Sequence, residues 1–193
     1  MTTPQINWTE QLAEQITWHW DNQLRGRLEG LTDEEYFWEP TPGWNVRPRG
    51  AESSAGMQAG TGDFFIEFEF PQPEPAPLTT IAWRLGHIIV GVLEIRSHNH
   101  FDGPPAEYDT WPYAGSAAEA LAQLDAAYDR WITGVRSLDA AALVEPCGPA
   151  EGPFGELPMA ALVLHIHREL IHHGAEIALL RDLYAHRRDV DAG

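Results

Sequence analysis

The segment His165-Ile166-His167-Arg168-Glu169-Leu170-Ile171-His172-His173-Gly174-Ala175-Glu176 gathers four imidazoles and two carboxylates into twelve residues. Imidazole nitrogen and carboxylate oxygen are donor types that hold divalent first-row metals. The segment lies near the end of a long helical pattern, and in a helix residues four apart share a face. His165/Glu169 and Glu169/His173 are such pairs, so one helical turn presents a carboxylate and imidazole chelate.

A third donor is needed, and another apolar stretch supplies a candidate. Between Leu85 and Leu93 the only side chain that is neither apolar nor glycine is His87. A helix apolar nearly all round is buried, which puts His87 inside the protein. A carboxylate four residues from a histidine is common on solvated faces, and a lone histidine in an apolar helix is commonly a satisfied core residue. The combination points further, because burying His87, Glu169 and His173 together without a cation is costly. Two imidazoles and one carboxylate suit a divalent ion, and three protein ligands leave zinc an open position for water or substrate. His165, His172 and Glu176 then become neighbours or supporting groups.

The remaining candidates are weaker. His98 and His100 flank Asn99 in a stretch that reads as loop and as solvated, and His19 between Trp18 and Trp20 reads as a packing residue. Cys147, the only cysteine, lacks a helix N-terminus or adjacent base to activate it. A single cysteine forms no internal disulfide, which fits a reducing cytoplasm.

The elements that must position these groups follow from periodicity and caps. Leu12, Ile16, Trp20, Leu24 and Leu28 recur at helical spacing from Asn7 or Thr9 to about Gly30. Thr32-Asp33-Glu34-Glu35 is a capping box that starts a short helical turn. Residues 39–78 are irregular, with an alternation at Phe64, Ile66, Phe68 and Phe70 that predicts one strand or a short hairpin. A second helix is predicted from Thr79 or Thr80 to about Ser97, and a third from Ser116 to about Leu138. Asp139 to Leu143 adds a short turn, Pro146 to Pro158 a loop, and a final helix runs from about Pro158 to His186, with a frayed tail after Arg188. Four long amphipathic helices predict an all-α four-helix bundle, one domain over residues 1–193, with a long, partly β crossover between helices one and two.

Composition removes several functions. The formal charge is −17 with twelve basic residues against 29 acidic ones, which opposes binding to a phosphate backbone. All twelve basic residues are Arg, so Schiff-base and P-loop lysine chemistry is absent. No apolar run approaches a membrane span. Met1-Thr2-Thr3-Pro4-Gln5 lacks the basic segment and apolar core of a secretory signal, so the expected location is the cytoplasm.

Three stretches resemble the DinB/YfiT-like metalloenzyme superfamily, which includes mycothiol-dependent maleylpyruvate isomerase. They are Leu31-Thr32-Asp33-Glu34-Glu35 with Trp38-Glu39-Pro40, then Ile81-Ala82-Trp83-Arg84-Leu85-Gly86-His87-Ile88, then Arg168 to Glu176. The resemblance implies a metal held by a histidine on the second helix and two ligands four apart on the last, here His87, Glu169 and His173. Many members have histidine where Glu169 stands, whereas the mycothiol-dependent isomerases use glutamate. The usual glutamine three residues after the last ligand is replaced by Glu176, which adds negative charge to the site. The implied activity is a metal-dependent thiol S-transferase or isomerase acting on a small molecule. It would use zinc, with nickel as the alternative metal, and a low-molecular-weight thiol such as mycothiol. A homodimer is implied by the same analogy. A metal-dependent hydrolase and a non-catalytic dimeric stress-response protein that binds a metal or ligand are the competing expectations.

Overall fold

A computed structural model describes residues 6–190. Met1–Gln5, the expected non-signal segment, and the tail beyond Val190 lie outside the described residues. The chain is mostly helical, with a small antiparallel sheet between the first and second long helical rods.

Helix α1 spans Trp8–His19, capped by the Asn7 side chain on Glu10 N–H, and continues through a π-wound turn Trp20–Leu24 and a 3-10 turn Arg25–Leu28. Its apolar stripe Leu12, Ile16, Trp20, Leu24 and Leu28 is buried as the spacing predicts. Short helix α2, Asp33–Tyr36, starts at Thr32, whose side chain accepts from Glu35 N–H. Phe37 and Trp38 fall beyond its end rather than within it.

The second rod consists of α3, Ile81–Gly86, a π-wound run His87–Glu94, and α4, Ile95–His100. Thr80 caps it by accepting from Trp83 N–H. It runs past the predicted end at Ser97, so His98 and His100 occupy its last turn instead of a loop. Helix α5, Ala117–Ser137, begins with the Ser116 side chain accepting from Glu119 N–H, while the Glu119 carboxylate accepts from Gly115 N–H at 3.1 Å. Helix α6 spans Met159–Val190, four residues past the predicted end and through the first two residues of the expected tail.

The crossover holds three strands where one or two were expected: β1, Val46–Pro48, β2, Met57–Ala59, and β3, Phe64–Phe68, ordered β1-β3-β2. Val46 pairs with Ile66 from one side and Ala59 pairs with the same residue from the other. The expected alternation fails in burial, because Phe65, Ile66 and Glu67 are all buried and Phe70 is exposed beyond the strand. Covered on both faces, β3 has no solvent side to carry a polar alternate. Glu67 is buried because Arg47 lies 2.8 Å from its carboxylate and Asn45 N–H donates to it at 2.9 Å.

The core packs α5 and α6 against the second rod, and α1 against both α5 and α6. Trp20 of α1 and Tyr128 of α5 stack with ring centres 3.8 Å apart. Two carboxylates in this core are paired bidentately: Glu94 with Arg130, and Glu35 with Arg181 of α6, which donates at 2.7 and 3.1 Å. Among the described residues, no helix is long and apolar enough to cross a membrane.

Candidate metal centre

The second rod and α6 lie side by side, and their contact places His87 against Glu169 and His173. One potential ligand atom from each of the three lies within 4.8 Å of the others. The imidazoles of His87 and His173 meet edge to face at 4.8 Å between ring centres, and His173 Nε2 lies 3.4 Å from Glu169 Oε2. His173 is buried and the other two are half-buried.

Local sequence explains the aim of each imidazole. His87 opens the π-wound run, a winding frequent at functional sites. Its Nδ1 lies 2.8 Å from the Tyr108 hydroxyl, which leaves Nε2 as its free nitrogen. Tyr108 reaches it from the loop after α4 because Gly91, one turn beyond His87, has no Cβ. A methyl there would collide with the Tyr108 hydroxyl and sit 3.2 Å from His87 Nδ1. Trp83 stacks on the His87 ring at 5.4 Å, and its indole N–H donates to the Glu67 carbonyl at 2.6 Å. The small sheet therefore fixes one wall of the site.

His173 is oriented from α6 itself. Its Nδ1 lies 2.7 Å from Glu176 Oε2 and 3.3 Å from Arg84 Nη1; the shorter contact is to a carboxylate, which only accepts, so it assigns the proton to Nδ1 and leaves Nε2 free. Arg84 of α3 approaches the same carboxylate oxygen at 3.2 Å. The negative charge that Glu176 adds in the sequence is thus offset by a guanidinium three residues before His87. Carboxylate support of the outer nitrogen is the usual second layer around a metal-bound histidine.

The electrostatics favour a neutral, ligating imidazole at position 87. Burial, with smaller contributions from His173, Arg84 and Arg96, pushes the His87 pKa from 6.5 down to about 3. Two imidazole donors with outer nitrogens engaged, plus one carboxylate, form a cluster that fits a divalent metal. His172, His173 and Glu176 also cluster within the same limit, but His172 is exposed and Glu176 occupies His173 Nδ1.

A model of the DinB superfamily matches residues 15–177. The chain belongs to the DinB superfamily. No curated protein and no solved structure matches it.

In this DinB-superfamily chain the other histidines separate by their partners. His165 Nδ1 sits 2.6 Å from Arg168 Nη2 and 3.5 Å from Glu169 Oε1, on the outer side of that carboxylate. His172 Nε2 lies 3.5 Å from Glu176. His19 Nδ1 contacts the Gln23 side chain at 2.9 Å, consistent with a packing residue. His98 is exposed with Nδ1 3.0 Å from the Gly103 carbonyl. His100 departs from the solvated reading: its side chain is only 5% exposed and lies 2.9 Å from Glu151, because α4 continues through it and turns it inward. His167 points away from the cluster into the core, edge-on to Trp131, with neither ring nitrogen hydrogen-bonded. Burial pushes its pKa down to about 4. Cys147 is buried, its thiol donates to the Phe154 carbonyl at 3.3 Å, and burial with Glu151 nearby raises its pKa.

Proposed function

We propose that His87, Glu169 and His173 hold a divalent metal, zinc first and nickel second, in an enzyme that transfers a low-molecular-weight thiol to, or isomerises, a small-molecule substrate. The observation that carries this reading is the convergence of the three donor groups within 4.8 Å, with Tyr108 and Glu176 engaging the outer nitrogens of the two imidazoles. A divalent ion there would stabilise a deprotonated sulfur at neutral pH. The thiol has to come from outside the chain, since Cys147 is buried with a raised pKa.

The protein's own residues supply the rest. Burial keeps His87 neutral and ready to ligate without first losing a proton. Glu176 holds the proton on His173 Nδ1, and Arg84 holds Glu176. Half-buried Glu169 faces His173 on one side and His165 on the other, which connects the site to solvent through a titratable ring.

Elemental analysis of purified protein tests the first step. About one metal per chain is expected, lost in His87→Ala and His173→Ala while the helical circular-dichroism signal persists. A metal-free wild type whose stability equals that of both variants would sink the reading. With metal present, turnover of an electrophile by mycothiol separates the transferase from a binding protein: no turnover with any small thiol rejects the enzymatic half.

A further inference from the structure

A cavity of about 590 Å³ lies between α6 and the loop that precedes it, lined by His165 and Arg168, which precede Glu169 on α6, and by none of the three proposed ligands. Its wall is chemically divided. On α6, Ala161 and Leu162 line one end, and His165 and Arg168 line the other, next to Glu169. At 1.5 Å rise per residue, Ala161 stands about 12 Å along the helix from Glu169. Phe154 and Leu157 from the loop extend the lining on the protein's outer side, and both are largely exposed. Arg96, from α4, completes the polar part, and its guanidinium folds back along the rod to donate to the Gly91 carbonyl at 2.8 Å. That brings it toward His87, on which it acts electrostatically.

The charge of this wall contrasts with the rest of the chain. Two of the twelve arginines of a −17 protein face one small cavity. Its single lining carboxylate, Glu151, is buried and committed to His100 at 2.9 Å and to Arg96 at 3.5 Å. Arg96 Nε is buried with no acceptor, and Arg168, its side chain 69% exposed, uses Nη2 on His165 Nδ1 at 2.6 Å and holds Nε 3.7 Å from Glu169 Oε1. Each guanidinium has five N–H donors, more than these contacts use, and two such cations beside an apolar compartment suit an anionic head joined to an apolar body.

We infer that this cavity selects carboxylate-bearing organic substrates. The carboxylate sits against Arg96 and Arg168, and the apolar body extends along Ala161 and Leu162 toward Phe154 and Leu157. The inference names the substrate class of the site proposed above and rests on that reading for its catalytic meaning, while the selectivity itself is assigned to the two arginines.

Calorimetric titration with 4-phenylbutyrate and its neutral analogue 4-phenylbutanol, on protein of measured zinc content, tests it. The acid is expected to bind at least tenfold more tightly than the alcohol. Arg168→Gln, at an exposed position that leaves folding intact, is expected to erase most of that preference without changing zinc content. Ala161→Phe, which fills the apolar end, is expected to weaken both ligands. A preference untouched by Arg168→Gln and abolished by His87→Ala means that the carboxylate merely ligates the metal, which overturns the cavity assignment and leaves the metal reading standing. Equal affinity for acid and alcohol, or no binding of either, also overturns it. A preference that depends on Arg168 in protein without stoichiometric zinc supports the cavity while the metal reading fails.

Discussion

Glu176 shows how a single side chain can be misjudged by its charge and correctly understood by its contacts. In the sequence it is an extra carboxylate that burdens a metal site; in the fold it accepts from His173 Nδ1 and is neutralised by Arg84. Glu176→Gln keeps the shape but removes the charge that fixes the tautomer. Metal affinity, measured by competition with a chelating dye, is expected to fall roughly tenfold or more while all three proposed ligands remain. The proposed ligands are legible in the sequence: His87 as the lone polar side chain of an apolar helix, Glu169 and His173 by their spacing of four. Arg84 carries a weaker signal, since it stands three residues before His87 and therefore on a neighbouring part of the same face. Tyr108 carries none, because a tyrosine in an aperiodic loop holds no directional information. His167, four residues from Ile171 and deep in the same motif, is a histidine for which the structure provides no hydrogen-bond partner. Its lowered pKa means that the folded state resists protonation, so stability is full above about 6.5 and declines as pH falls toward 4. His167→Leu is expected to raise the melting temperature by a few degrees at pH 7, with a larger gain at pH 5, as read by thermal unfolding.

The elements divide by whether their signal is local. Thr32, Thr80 and Ser116 each cap the helix predicted to start there, because a side-chain oxygen three residues before an orphan N–H is a purely local device. The π winding from His87 to Glu94 is invisible in the sequence, since a wider turn shifts the backbone register without requiring any particular residue. The sheet is half legible: Phe64 to Phe68 announces a strand, but β1 and β2 are three residues each and too short to show a period. At this scale Gly91 is decisive, because it lets the loop carrying Tyr108 close against the π-wound rod. Gly91→Ala is expected to displace Tyr108 and lower metal affinity as much as Tyr108→Phe does. Combining the two should add little, which a double-mutant cycle on metal affinity would measure. Additive losses would mean that the glycine serves the rod's winding instead.

Across the whole molecule, 29 acidic residues repel one another and only twelve arginines oppose them. The buried ion pairs, such as Arg130 with Glu94 and Arg181 with Glu35, are neutral, so the whole −17 falls on the remaining groups. Raising ionic strength from 0.01 to 0.15 M shortens the screening length from roughly 30 to 8 Å. The melting temperature is expected to rise by several degrees over that range, and a flat or falling profile in differential scanning calorimetry would contradict the repulsion. The order and approximate limits of the long helices are readable because each buries an apolar stripe of its own. Their mutual arrangement is not, since which stripe meets which depends on the intervening loops and sheet. One contact within that arrangement also makes the protein its own detector. The indole of Trp83 lies flat against His87, tethered by Glu67, so a change in the state of that imidazole alters the excited state of its neighbour. Subtracting the emission of a Trp83→Phe protein from that of the wild type would isolate this signal from the other seven indoles, and filling of the centre could be followed in real time by ultraviolet fluorescence, with no label attached.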